Sequence, residues 1–165
     1  MTAVLQGEYV KLRPATAADV PALAAIRTTP GVVRWWGAGD AAEEVADTEC
    51  HTYAIEFEGR VVGAIQWHSE EEPDFRHAGM DLYLDPAVHG RGLGTDTVRT
   101  MSRYLISEHG YHRLTIDPAA ANAAAIRAYS KVGFRPVGIM RQYWRDPDGV
   151  WQDGMLLDLL AAELT

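Results

Sequence analysis

The feature that most restricts this chain is a strand that runs straight into a glycine-rich turn and from there into a helix. Residues 78–85 read as a strand closed by Pro86, and glycines follow at positions 90, 92 and 94. Residues 95–108 then place Val98, Met101 and Leu105 on one helical face before stopping at Gly110. Glycines in such a turn let backbone N–H groups converge, and the new helix adds its positive end. Together they make an anion site suited to phosphate. Spacing excludes two common phosphate loops. A Walker A loop ends in Gly-Lys-Ser/Thr, and Gly94-Thr95 lacks the lysine. A dinucleotide fingerprint starting at Gly90 requires glycine or alanine at 95, where Thr95 stands.

The remaining segments alternate strands with helices. Residues 8–13 read as a strand, and Thr16-Ala17-Ala18-Asp19 resembles a capping box with the shorter acid at its end. Val20, Leu23 and Ile26 share one face of a helix that ends near Pro30-Gly31, which leaves Trp35-Trp36-Gly37 in the connection. Residues 52–57 and 60–67 flank Glu58-Gly59 as a hairpin, followed by the acidic loop Glu70-Glu71-Glu72-Pro73-Asp74. A short strand over 113–116 and a helix over 122–132, capped by Gly133, come next. Residues 134–143 and 150–159 form a last hairpin around Asp146-Pro147-Asp148-Gly149. Strands in runs with helices inserted predict a mixed sheet in an α/β domain rather than a regular parallel wind. The 165 residues fit one domain spanning 1–165.

Composition narrows the partners. The formal net charge of −8 argues against nucleic acid and anionic membranes, both of which need basic patches, and suits a cationic substrate drawn to an acidic cleft. Solubility alone would explain the same charge. The lone Cys50 cannot form an internal disulfide, no run of apolar residues is long enough to span a membrane, and no signal peptide is visible, so a cytoplasmic protein is expected. The six histidines show no zinc-type spacing, and no metal is expected.

His89-Gly90-Arg91-Gly92-Leu93-Gly94-Thr95 resembles the pyrophosphate loop of the GCN5-related N-acetyltransferase (GNAT) superfamily. Many members carry glutamine or arginine where His89 stands. A second segment, from Asp117-Pro118 through Asn122, Ala125, Tyr129 and Lys131 to Gly133-Phe134, resembles the family's strand–helix unit. The resemblance implies a mixed, mostly antiparallel twisted sheet flanked by helices and splayed where acetyl-CoA binds. It implies that residues 89–95 cradle the coenzyme's diphosphate and that Asn122, Ala125 and Lys131 line the cofactor site, Asn122 against the pantetheine arm. Leu82, Tyr83 and Leu84 would offer backbone N–H groups to the thioester carbonyl. Tyr129 would protonate the departing thiolate, although burial alone also explains a tyrosine on the face of Ala125 and Ile126.

Within the superfamily the chain is most similar to aminoglycoside 6'-N-acetyltransferases, on Trp35-Trp36-Gly37, Gly79-Met80-Asp81, Asp117-Pro118 and the closing run 149–158. Siderophore-pathway acetyltransferases share the Trp-Trp-Gly segment. The expected activity is acetyl-CoA-dependent acetylation of an amine on a small cation, the 6'-amine of an aminoglycoside foremost, by a monomer or homodimer. A protein N-terminus, a polyamine or a siderophore precursor is the alternative acceptor, and a non-catalytic acyl-CoA-binding protein the alternative class. Asp81 would orient the amine and take its proton, directly or through water; with the ordinary pKa of a carboxylate its role would be mostly electrostatic, and burial would make it a true base. Trp35, Trp36, Glu72, Asp74, Asp117 and Asp153 complete the expected substrate site. Trp35 is equally explained as a core residue, and at least two of the four loop acids as a solvated charge run.

Overall fold

The computed structural model describes residues 3–165. Its eight strands are β1 (Leu5–Gln6), β2 (Lys11–Pro14), β3 (His51–Phe57), β4 (Arg60–Glu70), β5 (His77–Leu84), β6 (Arg113–Ile116), β7 (Arg135–Arg145) and β8 (Trp151–Leu160). Five helices, α1 (Val20–Arg27), α2 (Pro30–Trp36), α3 (Ala41–Ala46), α4 (Leu93–Ser107) and α5 (Ala123–Ser130), connect them. The strands form one sheet in the order β1-β2-β3-β4-β5-β6-β8-β7. Every neighbouring pair is antiparallel except β5 and β6. The mixed sheet expected from the sequence is therefore present.

Both faces of the sheet are covered, which explains why β4 is buried without interruption from Val62 to Ile65. On one face α4 buries Val98, Met101 and Leu105 against Leu12, Ile55, Ile65, Met80 and Leu114. On the other, Leu23, Ile26 and Val32 of α1 and α2 pack on Ala64 and Tyr83. Truncating one of these fully buried leucines costs about 2–5 kcal/mol. Among the described residues no helix is long and apolar enough to cross a membrane.

Three segments depart from the expected boundaries. The strand expected over 8–13 begins only at Lys11, because the N–H groups of Glu8, Tyr9 and Val10 are taken by the Asp96 carboxylate of α4 at 2.8–2.9 Å. The helix expected to run towards Pro30 ends at Arg27, and Pro30 opens a second helix, where its missing N–H costs nothing. Trp35 and Trp36 thus sit on a helix, not in a connection. The short helix α3 carried no hydrophobic period to signal it; its start is fixed by Asp40, whose side chain accepts the N–H groups of Ala42 and Glu43.

Candidate active site

The glycine turn forms a cradle at the start of α4. Gly90 and Gly92 adopt φ of +79° and +77°, a left-handed conformation that side chains resist, and Gly92 is the N-cap. α3 and α5 are capped by Asp40 and Asn122, whereas α4 has no capping side chain. The first N–H groups of a 15-residue helix are therefore left for a ligand, and the macrodipole sets its sign as negative. A cleft of about 450 Å³ leads away from them. Its walls include Leu82, Tyr83 and Leu84 on β5, His89 and residues 92–95, and Asn122, Ala125, Tyr129 and Lys131 around α5. Arg91 is turned aside, its guanidinium 5.9 Å from the Phe57 ring centre. An elongated ligand with an anionic end, such as a coenzyme A thioester, fits these donors.

The cleft exists because β5 and β6 part. Their parallel pairing covers Ala78, Gly79 and Met80 and then stops, so residues 81–84 of β5 face an open edge. Two side chains attend that edge. Trp36 Nε1 donates to the Leu82 carbonyl at 3.0 Å, and His89 Nε2 lies 3.1 Å from the Leu84 carbonyl. Arg27 holds the tryptophan in place. Its buried guanidinium lies 5.0 Å from the Trp36 ring and 5.5 Å from Tyr83, pairs with Glu44 at 2.7 Å, and donates to the Gly37 carbonyl. Trp36 is thereby committed to the strand edge by its polar end.

Where the strands diverge, two half-buried carboxyl groups meet. Asp81 and Asp117 are within hydrogen-bonding reach of each other, and the Tyr143 hydroxyl of β7 donates to Asp117 Oδ2. Burial, then the Asp117 charge and its hydrogen bond, push Asp81 well above the usual carboxylate range. Tyr129 is 8% exposed, and burial followed by the charges of Asp81 and Asp117 raises its hydroxyl, so it stays protonated at neutral pH. Burial, then Asp47, Asp81 and Glu44, push the Cys50 thiol up to about 11, which leaves it a poor nucleophile. Among the described residues no group of three or more His, Cys, Asp or Glu is arranged to hold a metal ion.

A larger groove of about 790 Å³ opens between α2 and the tip of the β7–β8 hairpin. It is bordered by Trp35, Trp144, Trp151, Asp146, Asp148 and Asp153, so it combines aromatic faces with acids. Trp35 borders both clefts. Asp153 has a further duty, since its Oδ1 accepts the Gln142 N–H at 2.9 Å. Glu72 and Asp74 border neither cleft. They sit in the loop before β5, at the end of that strand remote from the glycine turn, where Glu72 accepts the Asp74 N–H. Sequence reasoning missed Tyr143, Trp144, Trp151, Asp146 and Asp148. The hairpin tip was legible, but nothing in its pattern told which face its aromatics would present.

An anion cradle on an uncapped helix, a parted parallel pair and a protonated tyrosine beside two carboxyls form a cleft suited to an elongated anionic ligand and to proton transfer at its far end. The match to the Acetyltransferase (GNAT) domain family spans residues 10–135, and the chain belongs to that family. It is 29% identical over 166 residues to an aminoglycoside N(6')-acetyltransferase type 1 of Klebsiella pneumoniae, covering 86% of this chain and 80% of the relative. Among solved structures it is similar to an acetyltransferase (GNAT family) from Bacillus anthracis, with TM-score 0.85, 17% identity and coverage of 98% and 100%. It is also similar to Mycobacterium smegmatis RimJ in complex with CoA-disulfide, with TM-score 0.79, 21% identity and coverage of 99% and 88%.

Proposed function

We propose that this acetyltransferase moves the acetyl group of acetyl-CoA directly to an amine of a small polycationic substrate, the 6'-amine of an aminoglycoside. The observation that carries the reading is the Asp81–Asp117 pair beside Tyr129, at the point where β5 and β6 part. Among the described residues neither carboxyl is in an ion pair with a lysine or arginine, so an ammonium group supplies the missing countercharge. The tryptophans and acids of the neighbouring groove suit the sugar rings and further ammonium groups of such a substrate. Similarity to the Klebsiella enzyme supports the same acceptor.

Acetyl-CoA supplies the thioester. The N–H groups at the start of α4 hold its diphosphate, and the open edge of β5 offers donors to its carbonyl oxygen. Asp81 takes the first proton from the bound ammonium and passes it to solvent. Its raised proton affinity makes it a better base near neutrality than an ordinary carboxylate. The Tyr129 hydroxyl gives its proton to the departing sulfur and is restored by the second proton of the acylated nitrogen, so one proton is released overall. A protonated Cys50 thiol leaves no covalent acyl-enzyme to form.

The reading is tested by incubating the protein with acetyl-CoA and paired aminoglycosides that differ only in a 6'-amine or a 6'-hydroxyl, alongside spermidine and a peptide panel. Mass spectrometry is expected to find one added acetyl group on the 6'-amine alone. Acetylation of the peptides or spermidine instead would refute the aminoglycoside assignment, and no acetylation of any amine would refute the transferase reading.

A further inference from the structure

The hydroxyl of Tyr143 belongs to neither substrate cleft, yet it touches the carboxyl pair, and the backbone around it is shaped to bring it there. β7 and β8 lose register between Met140 and Trp144, and Gln142 inside that bulge has φ of +48°, a conformation costly for a side chain with a Cβ. Asp153 maintains the bulge from across the hairpin, accepting the Gln142 N–H at Oδ1 and the Trp144 indole N–H at its carbonyl. Bulges of this kind re-aim a side chain. Here the Tyr143 ring lies against β8 at Gly154, where a Cβ would come within 2.6 Å of Cδ2. The same stretch of β8 fixes the segment after Asp117. Ala119 bridges to Gly154, the Ala120 N–H donates to the Asp153 carbonyl, and the Met155 N–H donates to the Pro118 carbonyl. Donor and acceptor of the Tyr143–Asp117 hydrogen bond are thus mounted on one frame.

We propose that Tyr143 is a positioning residue for acetyl transfer: by donating to Asp117 it keeps Asp117 the anion of the Asp81–Asp117 pair, so that Asp81, at the parted edge of β5, is the member that loses and regains the pair's proton. Two carboxyls in hydrogen-bonding contact share one proton, because two like charges at that distance repel. An O–H donor on Asp117 favours the anion there. The other groups facing the pair leave this assignment alone. Tyr129 from α5 and Cys50 ahead of β3 are neutral, and Gln66, opposite Asp81 on β4, gives its amide to Thr52. Tyr143 itself is held in its protonated, donating form, first by its hydrogen bond to Asp117 and then by burial. Removing the donor raises the proton affinity of the pair as a whole.

This proposal rests on the acetyl-transfer reading for its purpose, but its test does not depend on any acceptor. Full-length protein carrying 13C at the aspartate carboxyls is titrated by NMR, with Asp81 and Asp117 identified from Asp81→Asn and Asp117→Asn. In Tyr143→Phe the final deprotonation of the pair is expected to move up by about one pH unit, tenfold in proton affinity. Gly154→Ala, which pushes the ring off β8, is expected to move it in the same direction. If an aminoglycoside is turned over, the acid limb of its kcat/KM profile moves by the same amount. An unchanged titration in folded Tyr143→Phe, or in Gly154→Ala should the first variant not fold, overturns the proposal. Failure of acetyl transfer with a shifted titration would instead refute only the functional reading.

Discussion

Asp96 offers the sharpest quantitative test of how the start of α4 is held. It lies in the first turn of α4, is 5% exposed, and its two oxygens accept three consecutive backbone N–H groups from the segment before β2. Asp96→Ala removes all three bonds. The Val10 N–H is buried and would be left without a partner, at a cost of about 1–3 kcal/mol. Glu8 and Tyr9 are exposed, so water replaces the carboxylate there and each loss is about 0.5–1.5 kcal/mol. The total is about 4 kcal/mol, which for a chain of this size corresponds to a fall in Tm of about 8–16 °C. Differential scanning calorimetry on wild type and variant measures it, and amide exchange at residues 8–10 should quicken alongside. A Tm within the scatter of wild type would refute the reasoning that these bonds are net stabilising.

Two further outcomes follow from the site. Gly92→Ala places a Cβ on a left-handed N-cap at a cost of about 1–2 kcal/mol, which the turn escapes by reorienting its N–H groups. Acetyl-CoA affinity measured by calorimetry should drop about tenfold, and an unaltered affinity would remove the cradle from coenzyme binding. Asp81→Asn should lower turnover while raising Tm at neutral and alkaline pH. Burial holds the folded proton affinity of Asp81 above its unfolded value. Its contribution to stability is therefore whole below the unfolded pKa, near ~4, and is lost as pH rises through the folded one. The Tm advantage of the variant should grow with pH across that window, and an advantage largest in acid would contradict the sign.

The strand–turn–helix around Gly90 to Gly94 was legible because its chemistry is local: glycine spacing and a following helical period need no tertiary partner. The same holds for the helix that begins at Asn122 and for the hairpins at Glu58-Gly59 and 146–149. What stayed hidden depends on pairs distant in sequence. Trp36 is expected from the sequence in the substrate site, whereas in the structure its indole N–H is bonded to the Leu82 carbonyl and its ring lies against Arg27. Tyr143 is, by sequence, one more residue of the closing hairpin, and only the bulge at Gln142 turns it towards Asp117. The acids at 72 and 74 looked like substrate ligands by charge alone, and charge does not say at which end of a strand a loop lies. The break in strand 8–13 needed knowledge of Asp96, far along the chain.

The parting of β5 from β6 also divides the molecule's labour. Beyond the three residue pairs of that seam, the sheet continues only through β8 and β7, and it is their hairpin tip that borders the aromatic groove. The N–H groups proposed for the diphosphate lie elsewhere, on the turn and helix that follow β5. With the coenzyme site as proposed, substitutions can accumulate at the tip without touching the groups that would hold the diphosphate. A lineage on this scaffold is thus free to drift from one amine to another while its acyl donor stays fixed.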